Sequence, residues 1–158
     1  MTGVTVGIPT YNRSDLLARA IGSVFAQQVT PDVVIIVDDG STDDTSAVVA
    51  ASDNGPVPLR YLHQDNAGGA AARNLGVEAA TTEWVAFLDS DDEWESDHLA
   101  RLLQAVEEGG HPGDPSDWCA HALRSYRRPC SPALFGSYGT KLAASLGSPD
   151  PSYLACSG

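Results

Sequence analysis

The chain has 158 residues, 42% of them hydrophobic, enough for one core of ordinary size. Its 21 acids against nine bases leave a formal net charge of −12 and a pI near 4.4. A surface of that sign repels nucleic-acid phosphates and anionic lipid headgroups, which argues against polynucleotide and membrane-surface partners. No stretch approaches the roughly 20 apolar residues of a membrane span, and the N-terminus lacks a basic segment followed by an apolar one. Three cysteines without a C-x-x-C pair fit reduced thiols, so a cytoplasmic location is expected.

Taken in chain order, short apolar runs rich in β-branched residues alternate with segments of helical spacing. Val4 to Ile8 predicts a first strand, and Leu17, Ala20, Ile21, Val24 and Phe25 then form one apolar helical stripe. A second strand is predicted over Val33 to Val37. It leads into "DDGSTDDTSAVVAA", where Ser41 or Thr42 would cap a helix with Asp43 and Asp44 in its first turn. A third strand is expected at Leu59 to Leu62, and alanines favour a helix from Gly69 to Ala80. Trp84 to Leu88 predicts the fourth strand. The last stripe is Leu99, Leu102, Leu103 and Val106, with Gly109 as its C-cap.

Strands alternating with helices predict βαβ units, hence an α/β fold with a mostly parallel sheet flanked by helices. In such a sheet every strand ends at one rim. Residues 9 to 13, 38 to 41 and 89 to 92 should therefore converge there, and the third of these crowds Asp89, Asp91 and Asp92 together. Like charges that close are costly unless neutralised. A hard divalent cation, Mg²⁺ or Mn²⁺, would resolve the conflict, and an anionic diphosphate would complete its coordination.

Organisation changes near Gly109 and Gly110. Residues 1 to 110 hold 18 acids and five bases, whereas 111 to 158 hold three acids, four bases, all the cysteines and six of the ten prolines. The expected division is an α/β domain over 1–110 that holds a nucleotide diphosphate and an irregular, truncated or divergent tail over 111–158. A zinc site at His111, Cys119, His121 and Cys130 fits no common ligand spacing.

The stretches "VGIPTYNR", "VIIVDDGSTDDT", "DNAGGAAARNLGVEAA" and "WVAFLDSDDEW", in this order, resemble the family 2 glycosyltransferases with their Rossmann-like GT-A fold. The resemblance covers about residues 4 to 108. It implies a nucleotide-diphosphate sugar as donor, a UDP-sugar foremost, a divalent metal, and transfer to an acceptor hydroxyl, usually with inversion. By the same resemblance Pro9, Tyr11 and Arg13 border the base and phosphates, Asp39 bonds the base, and Arg73 lies beside the nucleotide. Asp89 and Asp91 match the D-x-D pair, with Asp91 as the metal ligand.

An inverting transfer needs a carboxylate base, which in the family lies downstream of D-x-D. After Glu108 only Asp114, Asp117 and Asp150 carry acid, none in such a context, so no base is assigned. The alternative is a catalytically incomplete nucleotide-sugar-binding domain without the acceptor half. Asp43, Asp44, Glu93, Glu95 and Asp97 are read as helix-terminal charges, Asp38 as a turn former, and Trp84 and Trp94 as packing residues. The first strand lacks the following G-x-G-x-x-G of a dinucleotide-binding oxidoreductase, and the D-x-D follows the fourth strand rather than the first, unlike a haloacid-dehalogenase-type phosphatase. A receiver domain would need its acid pair after the first strand.

Overall fold

A computed structural model describes residues 3 to 107, with side chains through Gln104. Four strands, β1 (Val4–Thr10), β2 (Val33–Asp38), β3 (Leu59–His63) and β4 (Trp84–Phe87), alternate with helices α1 (Ser14–Phe25), α2 (Thr45–Ser52), α3 (Gly69–Ala79) and α4 (His98–Glu107). All the strand pairings are parallel, in the order β3-β2-β1-β4. The expected α/β sheet flanked by helices is what forms. Gly109, the expected C-cap, and the segment 111–158, with His111, Cys119, His121 and Cys130, lie outside the described residues.

Strand alternation sends side chains to two cores. Val4, Val6, Ile8, Val34 and Ile36 meet Leu17, Ala20, Ile21 and Val24 of α1, Val49 of α2 and Leu99 of α4. On the other face Ile35, Val37, Val85 and Phe87 meet Ala72 of α3. β1 and β2 are buried almost throughout, which is why they read as unbroken apolar runs. β3, at one edge of the sheet, is the exception and leaves Arg60, Tyr61 and His63 exposed. Trp94 is buried in the first core and Trp84 packs partly buried against it, so both tryptophans are structural.

Gly7 in the middle of β1 lets the Phe87 ring lie across the strand. An added Cβ would stand 2.6 Å from Phe87 Cε1 and 2.8 Å from Cδ1, well inside the ~3.5–4.0 Å of normal carbon contact. Gly7→Ala should therefore cost about 1–3 kcal/mol by overpacking. Urea unfolding checks this, and an unchanged midpoint would contradict the tight contact.

The strand order decides where a ligand could enter. From β1 the chain steps outward to β2 and β3, then returns to place β4 on the opposite side of β1. The carboxyl ends of β1 and β4 thus flank a topological switch point, the usual crevice of an open α/β sheet.

Candidate functional site

The loop leaving β1 and the loop leaving β2 are laced together. Asn12 N–H donates to Ser41 Oγ at 2.9 Å, and Thr42 N–H donates to Asn12 Oδ1 at 2.8 Å. Asn12 holds a left-handed φ of 50°, a conformation that asparagine tolerates better than most residues. The loop leaving β4 joins them through Arg13, whose guanidinium donates to the Asp91 carboxylate. The three segments expected to converge do so.

Asp89 and Asp91 lie on a tight turn in which Asp92 N–H donates to Asp89 O at 3.0 Å. Asp89 is paired with Arg73 of α3, and Asp91 with Arg13. Further out, Glu93 is paired with Arg19, and Asp97 with Arg101 one helical turn away. These pairs add to the electrostatic reading of the sequence: Arg13, at the start of α1, and Arg73 of α3 offset the charge of Asp91 and Asp89, two of the three aspartates crowded at the rim. Both members of each rim pair remain about 33–46% exposed at the side chain and open to a ligand.

Asp39 is only 3% exposed. Its carboxylate accepts from Gln64 Nε2 at 2.6 Å, Ala67 N–H at 2.9 Å and Gly68 N–H at 2.8 Å. Burial pushes its pKa up, but the three hydrogen bonds outweigh burial and hold the carboxyl below its ordinary value. Asp39 thereby ties the loop after β3 to the end of β2 and sets the entry of α3, which carries Arg73. Asp38 takes the turn-forming role expected of it, accepting from Ser41 N–H at 2.8 Å. Its other oxygen accepts from the Tyr61 hydroxyl. Burial, then that hydrogen bond, pushes Tyr61 up to about 12.

Pro9 is buried within β1, and Tyr11, 48% exposed, stands at the rim beyond it. Thr10 Oγ1 is buried at the same strand end without a hydrogen-bond partner. The expected cap of α2 is corrected: the helix starts at Thr45, and Asp43, not Ser41 or Thr42, accepts from its first N–H. Ser41 and Thr42 are engaged by Asn12 instead. The sequence reading assigns no role to Asn12 and reads Asp43 only as a helix-terminal charge; the asparagine at a strand exit was the available signal.

Among the described residues no three carboxylate, imidazole or thiol groups are placed to hold a metal ion. The chain itself offers the Asp89 and Asp91 carboxylates. That donor set suits a hard cation that takes one or two carboxylates and fills its shell with phosphate oxygens and water. No described helix is long and apolar enough to cross a membrane.

These features define a doubly wound α/β domain with a polar, charge-paired rim at its strand-order switch. Residues 5–133 match the family described as Glycosyl transferase family 2, and the chain belongs to that family. It is 43% identical over 107 residues to an uncharacterized glycosyltransferase of Rickettsia felis, covering 68% of this chain and 18% of that protein. To the succinoglycan biosynthesis protein ExoO of Rhizobium meliloti it is 41% identical over 107 residues, covering 68% and 30%.

Two solved structures of glycosyltransferases share its GT-A fold. S. aureus TarS 1-349 in complex with UDP-GlcNAc superposes with a TM-score of 0.61 at 31% identity, covering 67% of this chain and 31% of that one. The mannosyltransferase PcManGT from Pyrobaculum calidifontis, in complex with GDP-Man and Mn²⁺, superposes with a TM-score of 0.60 at 28% identity, covering 75% and 37%. This chain thus spans between 18% and 37% of the length of these four proteins.

Proposed function

We propose that this chain binds a nucleotide-diphosphate sugar, with a UDP-sugar the favoured donor, together with Mg²⁺ or Mn²⁺, for transfer of the sugar to an acceptor hydroxyl with inversion. The observation that carries this reading is the meeting of Arg13 with Asp91 and of Arg73 with Asp89 at the switch point between β1 and β4. Donor complexes of the similar TarS and PcManGT, the latter with Mn²⁺, support it.

In this reading Asp91 holds the cation and Asp89 bonds a ribose or sugar hydroxyl. Arg13 and Arg73 turn their guanidinium groups to the diphosphate, where planar donors give paired hydrogen bonds. Tyr11 and Pro9 border the nucleotide, and the Asp39 carboxylate, already accepting three hydrogen bonds, faces the base with its remaining lone pair. The bound cation would offset charge on the departing diphosphate.

A second reading, donor binding without turnover, keeps the same site but lacks the acceptor half and the general base. Calorimetry with UDP-, GDP- and TDP-sugars, with and without Mn²⁺, tests both: binding tightened by Mn²⁺ is expected, and no binding of any donor overturns the site. Donor hydrolysis or transfer then selects the first reading, and their absence the second.

A further inference from the structure

Asp43 lies outside the donor-binding set, and its place beside α2 explains it from sequence as a helix-terminal charge. Its geometry goes further. Oδ2 accepts from Ser14 N–H, the first residue of α1, at 2.9 Å. Oδ1 accepts from Thr45 N–H at 3.1 Å and Thr45 Oγ1 at 2.6 Å, at the first residue of α2. One carboxylate therefore joins the starts of two helices in successive βα units. Neither helix has a side-chain cap from its own N-cap residue, which is Arg13 for α1 and Asp44 for α2.

Arg13 is the residue this arrangement confines. On its N-terminal side Asn12 is held by Ser41 and Thr42, and on its C-terminal side Ser14 is held by Asp43. The Arg13 carbonyl accepts from Leu16 N–H and Leu17 N–H at 3.1 and 3.0 Å, so the backbone is fixed to the first turn of α1. Only its side chain is left to move, and it reaches Asp91.

We propose that Asp43 is a positioning residue for the donor site: by capping α1 and α2 together it sets where the Arg13 guanidinium stands relative to Asp91. This rests on the reading of Arg13 and Asp91 as the diphosphate and metal side of the site. The slight burial of Asp43 raises its pKa, and the bonds from Thr45 and Ser14 more than reverse that, holding it at about 2, so the clamp stays ionised at neutral pH.

The test is a double-mutant cycle on the 158-residue chain, read as UDP affinity in the presence of Mn²⁺. Asp43→Asn, which keeps one acceptor for Thr45 and preserves the fold, is expected to weaken binding by about tenfold. In an Arg13→Gln background it should weaken binding by less than about twofold, a coupling within the usual range for linked residues. Equal losses in both backgrounds, or no loss in the first, overturn the proposal.

Arginine Nε–H resonances of the nucleotide-free chain supply a second readout. Asp43→Asn should shift the Arg13 signal toward its position in Asp91→Asn while the Arg73 signal stays. An unmoved Arg13 signal, or equal movement of both, also overturns it. A wild-type chain that binds neither UDP nor Mn²⁺ defeats the donor-site reading itself, whereas binding with an additive cycle defeats only the role of Asp43.

Discussion

Asp91→Ala is expected to remove the Mn²⁺-dependent part of UDP-sugar binding, a loss of more than about 100-fold, while the melting temperature stays within a few degrees of wild type. The size follows from what a ligand does, since even outer-sphere partners of metal ligands cost roughly 10–100-fold when removed. The fold should survive because the Asp91 side chain is 44% exposed and its only described bond is to Arg13, itself 45% exposed. An ion pair that open contributes about 0–1 kcal/mol. Metal-free UDP binding should hold or improve slightly, because Arg13 is then free for phosphate. Calorimetry with and without Mn²⁺ checks all three, and a variant that keeps its metal-dependent affinity would remove Asp91 from the site.

Asp39→Ala should have the opposite profile, with a large loss of stability as well as of nucleotide binding. It leaves Gln64 Nε2 and the N–H groups of Ala67 and Gly68 without their acceptor in a buried place. Hydrogen bonds to a charged group contribute about 1.5–3 kcal/mol each, and an orphaned buried donor costs about 1–3 kcal/mol. Relaxation of the loop recovers some of this, so a net loss of about 3–5 kcal/mol is expected, a large part of a typical domain's stability. For a domain of this size that lowers the melting temperature by more than about 10 °C.

Acid should narrow the gap between the two proteins. The Asp39 carboxyl titrates below its ordinary 3.8 in the folded chain, so its contribution is complete above that pH and fades as the pH falls through its native value. Melts at neutral pH and near pH 3 measure this. A variant melting within about 2 °C of wild type at neutral pH would show that the loop does not depend on the carboxylate.

These two aspartates show how far a pattern of residues reaches. Asp91 could be placed from sequence because it follows a strand, and parallel strands all end at one rim. Asp39 also follows a strand, yet its burial and its three donors come from residues 25 to 29 positions away, which no local pattern ties to it. The same distance hid the arginines: Arg13 lies 78 positions from Asp91, and Arg73 lies 16 from Asp89. Read along the chain, the acids are unbalanced, and a cation is what would offset them. In the structure Arg13, just ahead of α1, and Arg73 of α3 bring offsetting charge to the rim.

By itself the sequence determined what depends on short periods. The β-branched runs of β1, β2 and β4 and the Leu17, Ala20, Ile21 and Val24 stripe encode burial directly, because burial repeats with the geometry of the element. It also determined the family and the rim, since four motifs in order place three loops at the carboxyl ends of parallel strands. Tertiary structure alone decided that β3 is an edge, that β1 and β4 flank the crevice, and that Asp43 joins two helices. Those outcomes depend on which elements become neighbours, and a charged or capping side chain takes its partner from whatever the fold brings within about 3 Å.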